Sequence, residues 1–172
     1  MYIKYNISKI IEGLDPAGPG FEATPNLGIS SSNAKIVEII HTNAGKVGLK
    51  RQAGHIDFYP NGGGPNQPGC KVGDNECSHM IVYKYYIESL MRPKKWIAVR
   101  CSDYNSFLKR ACVTGEIVRF PSGSGDSKKM NGSYFLTTGD KKPFGLGMKG
   151  VNKKIRRTRL CAFLLDTMIY CI

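Results

Sequence analysis

Asp15 and His79 are a carboxylate and an imidazole, the residue types of an acid–base pair. Asp15 follows an apolar segment and precedes Pro16, and His79 follows Cys77-Ser78 at the start of a segment with helical spacing. A carboxylate can hold an imidazole in one tautomer, and the imidazole can then take a proton from a hydroxyl nucleophile. The structural alternative is that Asp15 caps a turn before proline and that His79 only begins a helix.

Two further histidines are rival bases. His41 ends an apolar segment, and His55 stands before the glycine-rich stretch at residues 61–64. We predict a structural role for both, with His55 fixing the glycine-rich loop.

Alternating strands and helices must position these residues. Residues 7–14, 34–41, 96–100 and 133–138 are apolar or alternating and predict strands, while residues 78–91 predict a helix capped by Ser78. Segments rich in Gly, Pro, Asn and Ser predict loops at residues 20–34 and 121–132. Asp15 would then follow the carboxyl end of a strand, where open α/β sheets place functional groups.

Four of the six cysteines form two local pairs, Cys70 with Cys77 and Cys101 with Cys112, each enclosing a short polar loop. This pattern predicts two disulfides and an oxidising compartment. Zinc is the alternative, but neither pair has C-x-x-C spacing and only His79 lies close to one of them.

Asn6 and Asn131 each begin an N-glycosylation pattern, although so short a pattern often matches by chance. The first residues contain no continuous apolar run for a secretion signal, and the apolar end at residues 160–172 is too short to span a membrane. Secretory-type cysteines without a signal predict that the chain is a fragment of a secreted protein, incomplete at its N-terminus.

The charge is strongly basic: 25 Lys and Arg against 13 Asp and Glu give +12. Part of the excess lies in residues 149–159. Such a surface favours contact with an anionic membrane or acidic polysaccharide, unless it is merely solvated. Nucleic acid is a weaker inference because no binding motif accompanies the charge, and we predict none as a partner.

Several motifs, in order, resemble the neutral (pancreatic-type) lipase family of α/β-hydrolases, most closely its insect lipases and venom phospholipases A1. They are residues 13–19 (GLDPAGP), 39–42 (IIHT), 54–63 with 67–70 (GHIDFYPNGG and QPGC), 77–89 (from CSH to YKYYIES) and 134–140 (YFLTTGD). The resemblance implies an α/β fold. Residues 1–147 would be the C-terminal portion of the α/β-hydrolase domain, with an incomplete central sheet and flanking helices. Residues 148–172 depart from the pattern and are either a surface anchor or an artefact of the gene model.

The resemblance implies extracellular hydrolysis of lipid carboxylic esters by a Ser-Asp-His triad, with Asp15 as the acid and His79 as the base. The nucleophile belongs in a Gly-x-Ser-x-Gly turn before the acid. No such pentapeptide precedes Asp15, and Ser122-Gly123-Ser124-Gly125 lies in the wrong order. We therefore expect the chain by itself to be inactive.

The chemistry needs no metal or cofactor. Some family members hold a structural calcium in the loop after the acid, but here that loop offers only one carboxylate, Glu22, beside Asn26, Ser31 and Asn33. We therefore predict no calcium.

The substrate would be a phospholipid or a neutral lipid. The segment that would cover the site, residues 71–76, is short, which resembles the phospholipase A1 branch rather than the triacylglycerol lipases. Two alternatives are an inactive lipase-like protein that binds lipid and, less favoured, a basic surface-binding module.

Overall fold

Six strands form a single mixed sheet in the computed structural model, which describes residues 10–24, 26–112, 114–122 and 130–151. The sheet order is β1-β2-β3-β6-β4-β5. The strands are β1 (Ile10–Leu14), β2 (Ile36–Ile40), β3 (Ile56–Pro60), β4 (Ile97–Arg100), β5 (Ile117–Arg119) and β6 (Gly132–Leu136). With its few helices, this sheet is consistent with part of an α/β fold.

The strands that carry the predicted chemistry run in parallel. β1 pairs with β2, β2 with β3 and β3 with β6, all in parallel, whereas β4 is antiparallel to both β6 and β5. The parallel strands are rich in β-branched and aromatic residues and bury most of them. Their carboxyl ends meet at one edge of the sheet, so that the residues following β1 and β2 become neighbours.

The long helix α1 (Asn75–Met91) covers one face of this sheet. Ile81, Val82 and Tyr85 are buried in the main core, where they join Phe58 and Trp96 from the strands. Because Ile81, Val82 and Tyr85 lie on one side of the helix, their packing fixes its rotation and therefore the direction in which His79 projects.

The helix begins earlier than predicted, and Ser78 is not its cap. The side chain of Asp74 accepts a hydrogen bond from the N–H of Cys77 at 2.8 Å and caps the helix. Ser78 is buried in the first turn, where its hydroxyl accepts the N–H groups of Asn66 and Gln67 at 3.1 and 3.2 Å. The prediction was wrong because Ser78 bonds to a distant loop rather than to its own helix.

Several short elements were not predicted from the sequence: α2 (Tyr104–Leu108), β5, α3 (Met148–Val151) and two 3-10 turns at Ser31–Asn33 and Pro93–Lys95. α3 falls just beyond the predicted domain limit at residue 147. The carbonyl of its Gly150 accepts the N–H of Thr137 at 3.0 Å, which ties this turn to the end of β6. Residues 152–172 and the predicted start of β1 lie outside the described residues.

Both predicted disulfides are confirmed, Cys70 with Cys77 and Cys101 with Cys112. The first closes the segment directly before α1, and the second encloses α2. Within the described ranges, no helix combines the length and the apolar character needed to cross a membrane.

Candidate active site

Asp15 and His79 meet at the carboxyl edge of the parallel strands. Oδ2 of Asp15 lies 2.7 Å from Nδ1 of His79, across 64 residues of sequence. Asp15 directly follows β1, and His79 stands in the first turns of α1. The pair predicted from the motifs is therefore a contacting pair in the folded chain.

The backbone holds Asp15 in an uncommon conformation. Its φ of 46° lies in the left-handed region, which aspartate tolerates better than most residues. Its N–H donates to the carbonyl of Ile40 at 2.7 Å, so the turn after β1 is pinned to the end of β2. This turn aims the carboxylate across β2 towards α1.

The carboxylate of Asp15 is fully buried and surrounded by hydrogen-bond donors. Oδ1 accepts the backbone N–H groups of Thr42 and Asn43 at 2.7 and 2.9 Å, while Oδ2 faces His79. A buried carboxylate needs hydrogen-bond partners, and the two backbone N–H groups supply them for Oδ1. Oδ2 is therefore available to accept the Nδ1–H of His79.

His79 retains access to solvent. Its side chain is 28% exposed, against 0% for Asp15. With the proton on Nδ1 and directed at Asp15, Nε2 keeps a free lone pair, as a general base requires.

Asn43 connects the loop whose backbone N–H groups bind Asp15 to the helix α1. Its Nδ2 donates to the carbonyl of Asn75 at 3.0 Å, and its Oδ1 accepts the N–H of Val47 at 2.9 Å. The residue therefore links residues 43–47, which include a donor to Asp15, to the start of the helix that carries His79. Asn43 was not predicted from the sequence, because nothing in its neighbours distinguishes it from an ordinary loop asparagine.

His41 has the predicted structural role. It is fully buried, with Nε2 2.8 Å from Oδ1 of Asp57 and Nδ1 3.0 Å from the carbonyl of Leu49. Asp57 also accepts the backbone N–H groups of Ala53 and Gly54, both at 3.0 Å. His41 thus anchors the far end of the loop that binds Asp15, and both of its ring nitrogens are engaged.

We predicted that His55 fixes the glycine-rich loop, and this prediction was wrong. Its Nδ1 accepts the backbone N–H of Val37 at 3.1 Å, so the ring supports the start of β2 rather than the glycine-rich loop. Gln67 holds that loop instead, donating from Nε2 to the carbonyls of Pro60 and Gly64 at 3.1 and 2.9 Å. The two carbonyls come together only when the loop folds, so the sequence beside His55 did not indicate that Gln67 binds them.

The segment that would cover the site is short and exposed. Residues 71–74 are exposed, and Val72 keeps 92% of its surface accessible. The N–H of Gly73 donates to Oδ1 of Asn66 at 2.7 Å, and the Cys70–Cys77 bridge closes the segment.

The loop after Asp15 does not fit a calcium ion. Its carboxylate, that of Glu22, accepts the backbone N–H groups of Lys50 and Arg51, both at 3.0 Å. Elsewhere in the described part of the chain, no three His, Cys, Asp or Glu residues cluster as metal ligands would.

Two glutamates lie side by side within the sheet, and no pattern in the sequence indicated this pair. Glu12 of β1 and Glu38 of β2 are register partners. Burial raises the pKa of Glu38, and nearby Glu12 adds to the rise, while hydrogen bonds from Ser122 oppose it. Tyr86 donates its hydroxyl to Glu12, and this bond is the main reason that the pKa of Tyr86 rises to about 12.

Two features are typical of the α/β-hydrolase class: the parallel strands of the sheet, and the Asp–His pair at the carboxyl ends of these strands. Comparison with known proteins defines the group further: a sequence model of the lipase family matches residues 2–144. The chain therefore belongs to the lipase family.

Three relatives illustrate the similarity. Pancreatic triacylglycerol lipase of Cavia porcellus is 34% identical, covering 78% of this chain and 35% of its own length. Human pancreatic lipase-related protein 3 is 38% identical, covering 78% and 36%. Human inactive pancreatic lipase-related protein 1 is 32% identical, covering 83% and 37%. The chain thus spans little more than a third of each relative, and the expected likeness to insect and venom members stays a prediction.

Proposed function

We propose that this chain supplies the acid and the base of an extracellular lipid ester hydrolase that works by a Ser-Asp-His triad. The contact of 2.7 Å between Asp15 and His79 carries the proposal. The fully buried carboxylate and the partly exposed imidazole support it, since a general base must reach both the acid and the substrate side.

The proposed reaction assigns one step to each residue. Nε2 of His79 takes the proton of a serine hydroxyl as the oxygen attacks the ester carbonyl, and then returns it to the leaving alcohol. Asp15 holds the ring in the Nδ1–H tautomer and stabilises the imidazolium that forms. The serine belongs to a Gly-x-Ser-x-Gly segment, which this sequence does not contain before Asp15.

We further propose phospholipids as substrates, with phospholipase A1 regiochemistry. The support is the short exposed segment closed by Cys70 and Cys77, which leaves the rim of the site open to a polar headgroup. Extracellular action fits the two disulfides, which persist in oxidising compartments.

The test is hydrolysis by a longer polypeptide in which a family Gly-x-Ser-x-Gly segment precedes this chain. We expect phosphatidylcholine to be cleaved faster than triolein. Asp15→Asn should lower kcat about 10⁴-fold, by analogy with the triad aspartate of serine proteases, and His79→Ala by at least as much. His55→Gln is the matched control and should retain activity. Unchanged activity in His79→Ala would sink the proposal, and faster cleavage of triolein would overturn the substrate preference.

A measurement on the present chain keeps the proposal testable if the longer polypeptide does not fold. Nitrogen NMR of His79 should show the proton on Nδ1, and Asp15→Asn should redistribute it between the two ring nitrogens. A ring protonated on Nε2 in the unaltered chain would contradict the assigned roles.

The second candidate is a catalytically inactive lipase-like protein that binds lipid. It is favoured by the 32% identity to a relative that is described as inactive. In that case the longer polypeptide would bind phospholipid vesicles without releasing fatty acid, and His79→Ala would leave this binding unchanged.

A further inference from the structure

An open apolar groove lies between the C-terminal half of α1 and the turn that follows β6. Its volume is about 430 Å³, and Ile87, Met91 and Pro143 contribute apolar surface to it. Ile87 is 57% exposed and Met91 is 75% exposed, and the two side chains line the same groove, so they form part of one apolar patch. The groove therefore presents an apolar surface to solvent.

Three cations line the same groove: Lys84, Arg92 and Lys142. All three are exposed, and within the described residues no ion pair joins any of them to a carboxylate. Three basic residues lining one apolar groove favour a ligand with an anionic end and an apolar body.

The carboxylate that also lines the groove is already engaged. Glu88 is only 8% exposed, and its oxygens accept the N–H groups of Phe144 and Gly145 at 3.1 and 2.9 Å and of the Trp96 indole at 3.3 Å. These bonds fix the turn around Pro143 against α1. The two walls of the groove are thus held at a set separation without a ligand.

We propose that this groove binds a long-chain fatty acid, with the acyl chain along Ile87, Met91 and Pro143 and the carboxylate among the three cations. Its volume falls within the range of about 300–1,000 Å³ that is typical of small-molecule sites. The groove is separate from the Asp15–His79 pair, because Ile87 lies about 12 Å farther along the helix than His79 at 1.5 Å per residue.

The proposal rests on the proposed function only for the source of the ligand, since hydrolysis of an acyl ester releases a fatty acid. Binding itself requires no hydrolysis. A failure to bind would therefore leave the assignment of Asp15 and His79 untouched, and a failure of that assignment would leave the groove untouched.

Titration calorimetry of the full chain with monomeric oleate, kept below its aggregation concentration, tests the groove. Lys84→Glu and Lys142→Glu should each weaken binding about tenfold, because repulsion replaces an exposed ionic contact. Lys109→Glu, the matched control, makes the same charge change on an exposed lysine outside the groove and should alter the affinity less than twofold. Ile87→Asn, a substitution at an exposed position, should also weaken binding severalfold.

Two further ligands test whether the groove recognises the carboxylate and the long acyl chain. Methyl oleate should bind at least tenfold more weakly than oleate because it lacks the charge, and octanoate should bind weakly because it buries fewer methylenes. Equal losses in Lys109→Glu and Lys142→Glu would overturn the proposal in favour of unspecific charge attraction. Binding to anionic phospholipid vesicles without binding to monomeric oleate, or self-association through α1 that leaves oleate unbound, would likewise overturn it.

Discussion

Gly48 lies directly against the carboxylate of Asp15: a Cβ atom added to Gly48 would stand 2.6 Å from Oδ2, the oxygen that faces His79. Real Cβ atoms do not approach oxygen so closely, so the carboxylate occupies space that only glycine leaves free. The carbonyl of Asn43 accepts the N–H of Gly48 at 3.0 Å, so moving Gly48 away from Asp15 would strain or break this bond.

Gly48→Ala should therefore displace Asp15 and weaken its bond to His79. A displacement of about 1 Å can lower kcat about 100-fold in an active longer polypeptide. In the present chain, the downfield Nδ1 proton resonance of His79 should broaden or shift upfield. Gly64→Ala is the matched control, since a Cβ at Gly64 meets nothing within 4 Å. Identical spectra for Gly48→Ala and the unaltered chain would contradict the geometry.

Glu38→Gln should make the protein more stable near neutral pH. Burial raises the pKa of Glu38 above its usual 4.5, so the folded state binds this proton more tightly than the unfolded state. The stability that Glu38 contributes is thus fully present below the unfolded pKa and is lost as pH rises through the folded pKa. Glutamine is neutral throughout and avoids that loss.

Thermal unfolding between pH 4 and pH 7 measures this effect. The gain in Tm of Glu38→Gln over the unaltered chain should grow with pH, while Asp140→Asn, at an exposed acid, should show no such growth. Parallel pH profiles for Glu38→Gln and the unaltered chain would mean that Glu38 does not carry the pH dependence.

Removing the Cys70–Cys77 bridge by a double substitution to serine should lower the free energy of unfolding by about 2.5 kcal/mol, from the entropy of closing a short loop. Urea denaturation measures the loss. Because Cys77 lies in the first turn of α1, two residues before His79, this variant should also perturb the His79 resonances. The Cys101/Cys112 double variant should lose about 3 kcal/mol without that perturbation. Reversed spectral effects would show that the first bridge does not steady His79.

Asn131 should carry an N-linked glycan when the chain passes through a eukaryotic secretory pathway. The residue is exposed directly before β6, at the end of the sheet opposite to Asp15 and His79. Ser133→Ala should abolish the modification and Ser133→Thr should retain it, both leaving Asn131 in place. Peptide mass spectrometry after enzymatic deglycosylation would detect the converted Asn131, and an unmodified peptide from the Ser133→Thr variant would refute the prediction. The other candidate, Asn6, lies outside the described residues.

The sequence by itself determined the features that depend on local pattern. Asp15 before proline at the end of an apolar run, His79 at the start of a helical segment and the two close cysteine pairs were all identifiable without coordinates. β2 and α1 were also predicted, with errors only at their ends, because buried strands and helices leave apolar runs and helical periodicity in the sequence. By contrast, β5 has three residues and exposes two of them, so its pattern carries almost no signal.

Only the tertiary structure decided which distant groups meet. Thr42 and Asn43 bind Asp15 through backbone N–H groups, and every residue except proline has one, so residue type could not single them out. Gly48 matters because a carboxylate 33 positions earlier in the sequence occupies the space beside it. His55 bonds to Val37, and the residues that line the groove come from α1 and a turn beyond β6. These relationships arise from packing between segments far apart in the chain, where spacing along the sequence carries no information on distance in space.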